Sequence, residues 1–239
     1  MSQSIVVLGA RNLGGAIVDH FLGLGWNAAG VARSEETLDA VRSRGALAVS
    51  ADASDPDQLA GVFDLARREL GPLDAIVNAV SAARPPGGGP FGGGELAAAD
   101  VAAFQGWTVA VAEQAFAFLS TGARALRQSG GGTLVQITGG SSRRAMPGKG
   151  LWAAGAFATR ALVQAAAQEL RDEGIHAALL AVDATIESPK TAVFTGGQPA
   201  NALADQGQVA EAVAFLVGQR ERAWTHELVV TPAGDRWVP

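Results

Sequence analysis

Apolar residues fall along this chain in short unbroken runs of strand length, set apart by longer stretches in which they recur every three or four positions. The first run, SIVVLG at Ser4–Gly9, reads as a buried strand. From Gly14 to Leu24 the apolar positions Ile17, Val18, Phe21 and Leu22 share one face of a helix. WNAAGVAR follows as a second strand, then SEETLDAVRSRG as a helix with Ser34 at its N-cap and Thr37 near N3. Glu35 and Glu36 suit the positive end of that helix. ALAVSAD is a third strand, and Asp57 to Leu70 a helix stopped by Gly71-Pro72. LDAIVNAVSA is a fourth strand, Asp100 to Gln128 a long helix, GTLVQITGG a fifth strand and Trp152 to Glu173 another long helix. IHAALLAVDAT, a helix from Gln208 to Gln219, and a last strand in HELVVTPAG complete the pattern.

Strands that alternate with helices must pair in parallel, because each return to the sheet needs a long crossover. The expected fold is therefore a single α/β domain over residues 1–239, doubly wound, with about seven parallel strands and helices on both faces. No repeat or linker divides the chain. One segment, ARPPGGGPFGGGE at Ala83–Glu95, breaks the pattern. It follows the fourth strand, at the carboxyl edge of the sheet where α/β folds bind ligands, and reads equally as a flexible loop or as a mobile lid.

Composition narrows the chemistry more than it narrows the fold. The chain has no cysteine, which removes disulfides and thiolate metal sites, and no tyrosine; no metal site is expected. Its lysines are Lys149 and Lys190, and its histidines His20, His176 and His226. A formal net charge of -5 argues against nucleic acid or an anionic membrane as partner. The opening MSQSIVVLGARNLGG lacks the basic leader and long apolar core of a signal peptide. No apolar run approaches the ~20 residues that span a bilayer, so a soluble, cytoplasmic protein is expected.

Between the first strand and helix stands GARNLGG, Gly9 to Gly15. A strand, a glycine turn and a helix N-terminus together make a phosphate site, because free N–H groups and the helix dipole face the anion. Gly9 and Gly14 match the outer glycines of G-x-G-x-x-G, with Arg11 at the middle position. At the end of the second strand, where an acidic residue would bind the ribose 2′-hydroxyl of NAD, the chain has Arg33 and Ser34. A guanidinium pairs with a 2′-phosphate that a carboxylate would repel, and Arg11 is placed to close on it. The expected cofactor is NADP(H), with NADPH preferred over NADH.

These segments in this order resemble the short-chain dehydrogenase/reductase family over nearly the whole chain. VVLGARNLGGAI is similar to that family's cofactor loop, and SADASD to the segment whose aspartate, here Asp52, contacts adenine. IVNAVSA resembles the Asn-Asn-Ala-Gly strand, with Asn78 and Ala79 in place. GGTLVQITG resembles the strand before the catalytic serine, and QVAEAVAFLVGQRERAWTHELVVTPAG the last helix and strand. The resemblance implies a Rossmann domain. It puts cofactor contacts at Gly9, Arg11, Asn12, Leu13, Gly14 and Arg33, continuing through Ser34, Asp52, Ala53, Asn78, Ala79, Thr138 and Ile186. It also implies a dimer or tetramer built through the two long helices.

The family's chemistry uses a Tyr-x-x-x-Lys pair, a serine and often an asparagine, and none of them is present here. The tyrosine position falls on Trp152, the lysine on Ala156, the serine on Gly139 or Gly140, and the asparagine near Ala110 or Val111. The Pro-Gly that flanks the nicotinamide reads Ala184-Thr185. An indole donates a hydrogen bond but exchanges no proton near neutrality. His176 and His226 begin strands, the wrong end for chemistry, and His20 sits within a helix. Candidates remain in Thr138, Ser141 and Ser142, which can position a carbonyl, in Asp183, which could bond nearby backbone N–H groups, and in Lys149 as a proton donor. SSRRAMPGKG, with Arg143 and Arg144, would suit an anionic substrate or phosphate. The expected function is an atypical NADP(H)-dependent oxidoreductase for a small carbonyl or alcohol. The alternatives are a non-catalytic NADP(H)-binding sensor or partner subunit, and a non-redox cyclase or isomerase.

Overall fold

The computed structural model describes residues 2–80 and 89–235. Its elements run β1 (Ser4–Leu8), α1 (Asn12–Gly23), β2 (Asn27–Ala32), α2 (Glu35–Ser43), β3 (Leu47–Ser50), α3 (Pro56–Leu70) and β4 (Ala75–Asn78). The second half continues with α4 (Val101–Phe104), a π-helical stretch at Gln105–Val109, α5 (Ala110–Ser129), β5 (Gly132–Gly139) and α6 (Gly150–Glu169). It closes with β6 (Ile175–Val182), α7 (Ala192–Thr195), α8 (Gln206–Val217) and β7 (Glu227–Val230). The seven strands form one sheet in the order β3-β2-β1-β4-β5-β6-β7, and every pairing is parallel. The α/β, doubly wound Rossmann architecture expected from the sequence is the observed one.

Alternation along each strand sends side chains to two cores. Val6, Leu8, Ile76 and Leu134 meet Leu59 and Phe63 of α3, Phe118 and Leu126 of α5 and Val163 of α6. Ile5, Val7, Val77 and Val135 meet Ile17 and Phe21 of α1, Val41 of α2 and Val213 of α8 on the opposite face. Burial of both faces explains why the strands read as continuous apolar runs instead of alternating ones.

Helix ends explain most boundaries. Asp55 caps α3 by accepting from the N–H groups of Asp57 (2.9 Å) and Gln58 (3.1 Å), with Pro56 as first residue, so the helix starts one residue before the expected Asp57. Gly71 ends it at φ 92°. Ser34 is the N-cap of α2, but its hydroxyl bonds the Thr37 hydroxyl (2.8 Å) and no backbone N–H. The fourth and last strands are shorter than expected, since ladder pairing stops at Asn78 and at Val230. The expected helix Trp152–Glu173 is α6 from Gly150 to Glu169 followed by a 3-10 turn at Arg171–Glu173. The expected long helix Asp100–Gln128 starts after its N-cap Asp100, which accepts from the Ala103 N–H, and is interrupted by the π-helical stretch. No helix among the described residues is long and apolar enough to cross a membrane.

His176 and His226 lie at the amino end of the sheet, as expected. His176 is buried, stacks on the Trp224 indole at 5.0 Å and meets the His226 ring edge-on at 5.6 Å. Its Nε2 lies 3.0 Å from the Thr225 carbonyl, a bond only an N–H can make, which leaves Nδ1 buried and bare. Burial pushes this imidazole below its ordinary value of 6.5, and the neighbouring His226 adds to the effect. The unfolded chain therefore binds a proton more readily than the folded one. The resulting stability is full above the unfolded pKa and is lost as pH falls through the folded value. The urea midpoint is expected to drop as pH falls below about 6.5. In His176→Phe, which keeps the stack on Trp224, that slope should flatten, and an unchanged slope would assign it to other groups.

Candidate active site

The strand order reverses between β1 and β4, and the loop that follows β1 sits at that point. Gly9 turns the chain at φ 80°, and the N–H groups of Gly9 and Ala10 both donate to the Val31 carbonyl, at 2.9 and 3.0 Å. A Cβ on Gly9 would lie 2.9 Å from the Val80 backbone, and one on Gly14 would lie 2.2 Å from the Gly9 carbonyl oxygen. The two glycines therefore let strand, loop and helix close on one another. Arg11 is the N-cap of α1 in extended conformation, and its side chain makes no capping bond. The first-turn N–H groups of Asn12, Leu13 and Gly14 thus have no side-chain acceptor. Asn12 has φ 38°, the only left-handed non-glycine residue among those described.

Arg33 and Asp52 stand at the carboxyl ends of neighbouring strands β2 and β3, where Ala32 pairs with Ser50. Their side chains form an exposed ion pair of 3.3 Å. The Asp52 carboxylate sits below its usual range because the Ser54 hydroxyl (2.6 Å) and N–H (2.9 Å) bond it, with Arg33 adding attraction. Ala53 is buried beside it, Ser34 is exposed, and Ala79 donates its N–H to the Leu8 carbonyl at 2.9 Å. Asn78 occupies a different role from a ligand contact. Its fully buried side chain donates to Gln136 Oε1 (3.0 Å) and accepts from the Val80 N–H (3.2 Å), tying β4 to β5 beneath the site.

Thr138 and Gly139 end β5, and Ser141 and Ser142 follow. Ser142 is buried and donates to the Gly139 carbonyl (2.9 Å), so it is not open to a ligand, whereas Thr138 and Ser141 keep part of their surface exposed. Asp183, just past β6, has a side-chain partner instead of the backbone N–H groups that were one reading of it. It receives Arg144 through both guanidinium nitrogens, at 2.6 and 2.9 Å. The carboxylate fills the space beside Gly140, where a Cβ would sit 1.9 Å from Asp183 Oδ1. Arg143 joins Arg160 on Glu227, each at 2.9 Å. Two cations of SSRRAMPGKG are therefore neutralised within the fold, which removes them from the expected anion site. Ile186 is partly buried and bridges to Ala204.

Trp152 and Ala156 lie one turn apart on α6, Trp152 partly exposed and Ala156 buried. Over them passes the described part of the glycine-rich segment; residues 83–88 lie outside the described residues. Gly92, Gly93 and Gly94 have φ 86°, 98° and 76°, a run that only glycine adopts readily. Cβ atoms on Gly92 and Gly93 would lie 2.9 Å from Lys149 Cγ and 2.7 Å from Leu151 Cδ1. The Gly94 N–H donates to Gly148 O (3.1 Å) and the Trp152 N–H to Gly92 O (3.4 Å), satisfying one of the open donors of α6. Residues 89–95 are thus a seated strap.

The strap carries Phe91 onto Trp152 (ring centres 4.4 Å) and Trp107 (5.2 Å), with the two indoles 6.2 Å apart. Trp107 comes from the π-helical stretch just before Ala110 and Val111. Gly155 permits that crossing, since a Cβ there would lie 2.8 Å from Trp107 O and 3.0 Å from Thr108 O. Thr108 fastens it by donating its hydroxyl to Leu151 O at 2.7 Å. Sequence reasoning missed Phe91 and Trp107. Phe91 stood inside a low-complexity segment, and nothing in the periodicity of the long helix marked the π turn that aims Trp107.

The glycine loop at a topological switch point, above a parallel sheet, defines a doubly wound fold of the nucleotide-binding class. The chain belongs to the short-chain dehydrogenase/reductase family: residues 7–234 match the family model described as Enoyl-(Acyl carrier protein) reductase. A curated relative, the NADPH-dependent aldehyde reductase-like protein, chloroplastic, of Arabidopsis thaliana, is 29% identical over 133 residues. That match spans 55% of this chain and 47%, about half, of the relative. Among solved structures, a short-chain type dehydrogenase/reductase from Mycobacterium ulcerans is similar with TM-score 0.81 and 19% identity, covering 96% of this chain and 89% of that one. A metagenomic short-chain oxidoreductase in complex with NADP has TM-score 0.74 and 24% identity, covering 98% and 99%. At these identities both structures speak for the fold alone.

Proposed function

We propose that the protein binds NADP(H) at the carboxyl edge of β1, β2 and β4 and is an atypical oxidoreductase for a small carbonyl or alcohol compound. The observation that carries the reading is the tight turn at Gly9 and Gly14, which a Cβ at either position would force apart and which presents first-turn N–H groups of α1 that no side chain caps. It fits a pyrophosphate closing on the first-turn N–H groups of α1. Arg33 would hold the 2′-phosphate, exchanging its exposed contact with Asp52 for a bidentate one, and Arg11 would approach from the loop. The NADPH dependence in the plant relative's name supports the same cofactor. When bound, NADPH supplies a hydride.

In this proposal Trp152 and Ala156 stand where the family has its tyrosine and lysine, and Gly139 where it has its serine. Proton delivery then falls to solvent or to Lys149. The hydroxyls of Thr138 and Ser141 orient the substrate oxygen, and the indole of Trp152 walls the cleft. The same replacements favour a second reading, an NADP(H)-binding protein without turnover.

Titration with NADPH and with NADH tests the cofactor. NADPH is expected to bind more tightly than NADH, and Arg33→Ala to cost at least about tenfold in NADPH affinity with NADH unchanged, since a charge-assisted bidentate contact is worth about 1.5–3 kcal/mol. Binding of neither nucleotide would sink both readings. Binding without oxidation of NADPH across a carbonyl panel would favour the second.

A further inference from the structure

We propose that the surface beside Trp152 accepts a planar aromatic carboxylate, its ring against the partly exposed Trp152 indole and its carboxylate at the Lys149 ammonium. The ring half of the site is built. Phe91, Trp107 and Trp152 converge from three separate segments, and Phe91 meets both indoles edge-to-face, with interplanar angles of 77° and 81°. The exposed part of Trp152 can take another aromatic ring, a contact worth about 0.5–1.5 kcal/mol beyond its burial. Trp107 is 3% exposed and fixed beneath, whereas Phe91 is 44% exposed and Trp152 partly open, so the cluster has a floor and an accessible side. The strap's glycine conformations and its bonds to Gly148 and Trp152 hold these rings in place before any ligand arrives.

The charge half follows from which cations are spent. Arg143 and Arg144 are committed to Glu227 and Asp183. Lys149 has no carboxylate within ion-pairing distance among the described residues, and its Nζ lies over the Phe91 ring, 5.7 Å from the centroid. Lys149 is partly buried as a residue, and a carboxylate would give its ammonium, beside the Phe91 ring, a charge-assisted hydrogen bond. A neutral aromatic ligand makes no use of that charge and a cationic one is repelled by it. The proposal rests on the oxidoreductase reading for the reaction such a ligand enters, and not for its binding.

The probes are trans-cinnamate and cinnamyl alcohol, nearly the same shape with and without the charge, titrated into nucleotide-free protein by calorimetry. Cinnamate is expected to bind about tenfold more tightly than the alcohol, a difference of about 1.4 kcal/mol. Lys149→Gln, at a loop position, should remove the preference and leave the affinity for the alcohol alone. Magnetisation transfer should place the cinnamate ring protons against indole protons in the wild-type protein. Equal affinities in the wild type, a preference that survives Lys149→Gln, or ring contacts away from the indoles would each overturn the proposal. NADPH titration of the same samples separates the two ideas. Nucleotide binding without cinnamate binding ends this proposal and spares the oxidoreductase reading, while cinnamate binding without nucleotide binding does the reverse.

Discussion

Gly14→Ala is expected to lower the unfolding free energy by about 3 kcal/mol, at the upper end for overpacking a closed contact, and to abolish NADPH binding. The added methyl would stand 2.2 Å from the Gly9 carbonyl oxygen and 2.8 Å from its carbon, with Val7 Cγ1 at 3.4 Å behind. None of these atoms is the tip of a flexible side chain. The loop cannot yield on its other side either, because Gly9 and Ala10 are bonded to Val31 and Gly9 lies against Val80. Helix α1 must therefore back away from the sheet, carrying Ile17 and Phe21 out of their core and the first-turn N–H groups away from any phosphate. Gly23→Ala in the same helix is the control. A Cβ there meets nothing within 4 Å, and the change should stabilise the protein by about 0.5–1 kcal/mol through helix propensity. Urea midpoints of the two variants, read beside NADPH titrations, check this. Equal midpoints would mean that the loop is looser than its contacts imply.

The second large effect belongs to two adjacent glycines at the end of β5. Gly140→Ser should cost about 2 kcal/mol, because its Cβ would fall 1.9 Å from Asp183 Oδ1 and force the carboxylate off Arg144. That figure is already reduced for the guanidinium, a third of which is open to solvent. Gly139→Ser should be nearly neutral, since the only atom near its Cβ is the Val182 carbonyl oxygen at 3.8 Å. The contrast matters for the chemistry. Space for a hydroxyl exists at position 139, one of the two positions to which the family resemblance assigns its serine, and position 140 is closed by the ion pair. A serine at 139 alone should not raise the rate of carbonyl reduction, because Trp152 and Ala156 supply no tyrosine–lysine acid for it to assist. Urea midpoints that fall equally in both variants would show that Asp183 moves aside freely.

Among the other cations and carboxylates, the exposed contacts contribute little to stability. Arg42 with Glu35 and Asp39 lies at the surface, and solvent screens such pairs. Glu227 differs because it is shared by Arg143 and Arg160 and is only 22% exposed, fastening edge strand β7 to α6 and to the turn after β5.

By itself the sequence determined what depends on local patterning. Uninterrupted apolar runs at strand length and three-to-four spacing between them were enough for a doubly wound parallel sheet, because strands buried on both faces and their covering helices leave no other arrangement. The glycine turn was legible for the same reason, since Gly9 and Gly14 act within one strand–helix connection. The absence of tyrosine is likewise a fact of the sequence alone. Tertiary structure decided whatever depended on residues far apart meeting. Arg144 reaches Asp183 across 39 positions and Arg143 reaches Glu227 across 84, pairings that turned an apparent anion site into internal ion pairs. Only the folded chain brings Phe91, Trp107 and Trp152 together, because a glycine strap and a π turn carry no hydrophobic period that would betray where their side chains point. Periodicity reports which face of an element is buried; it does not report which partner waits there.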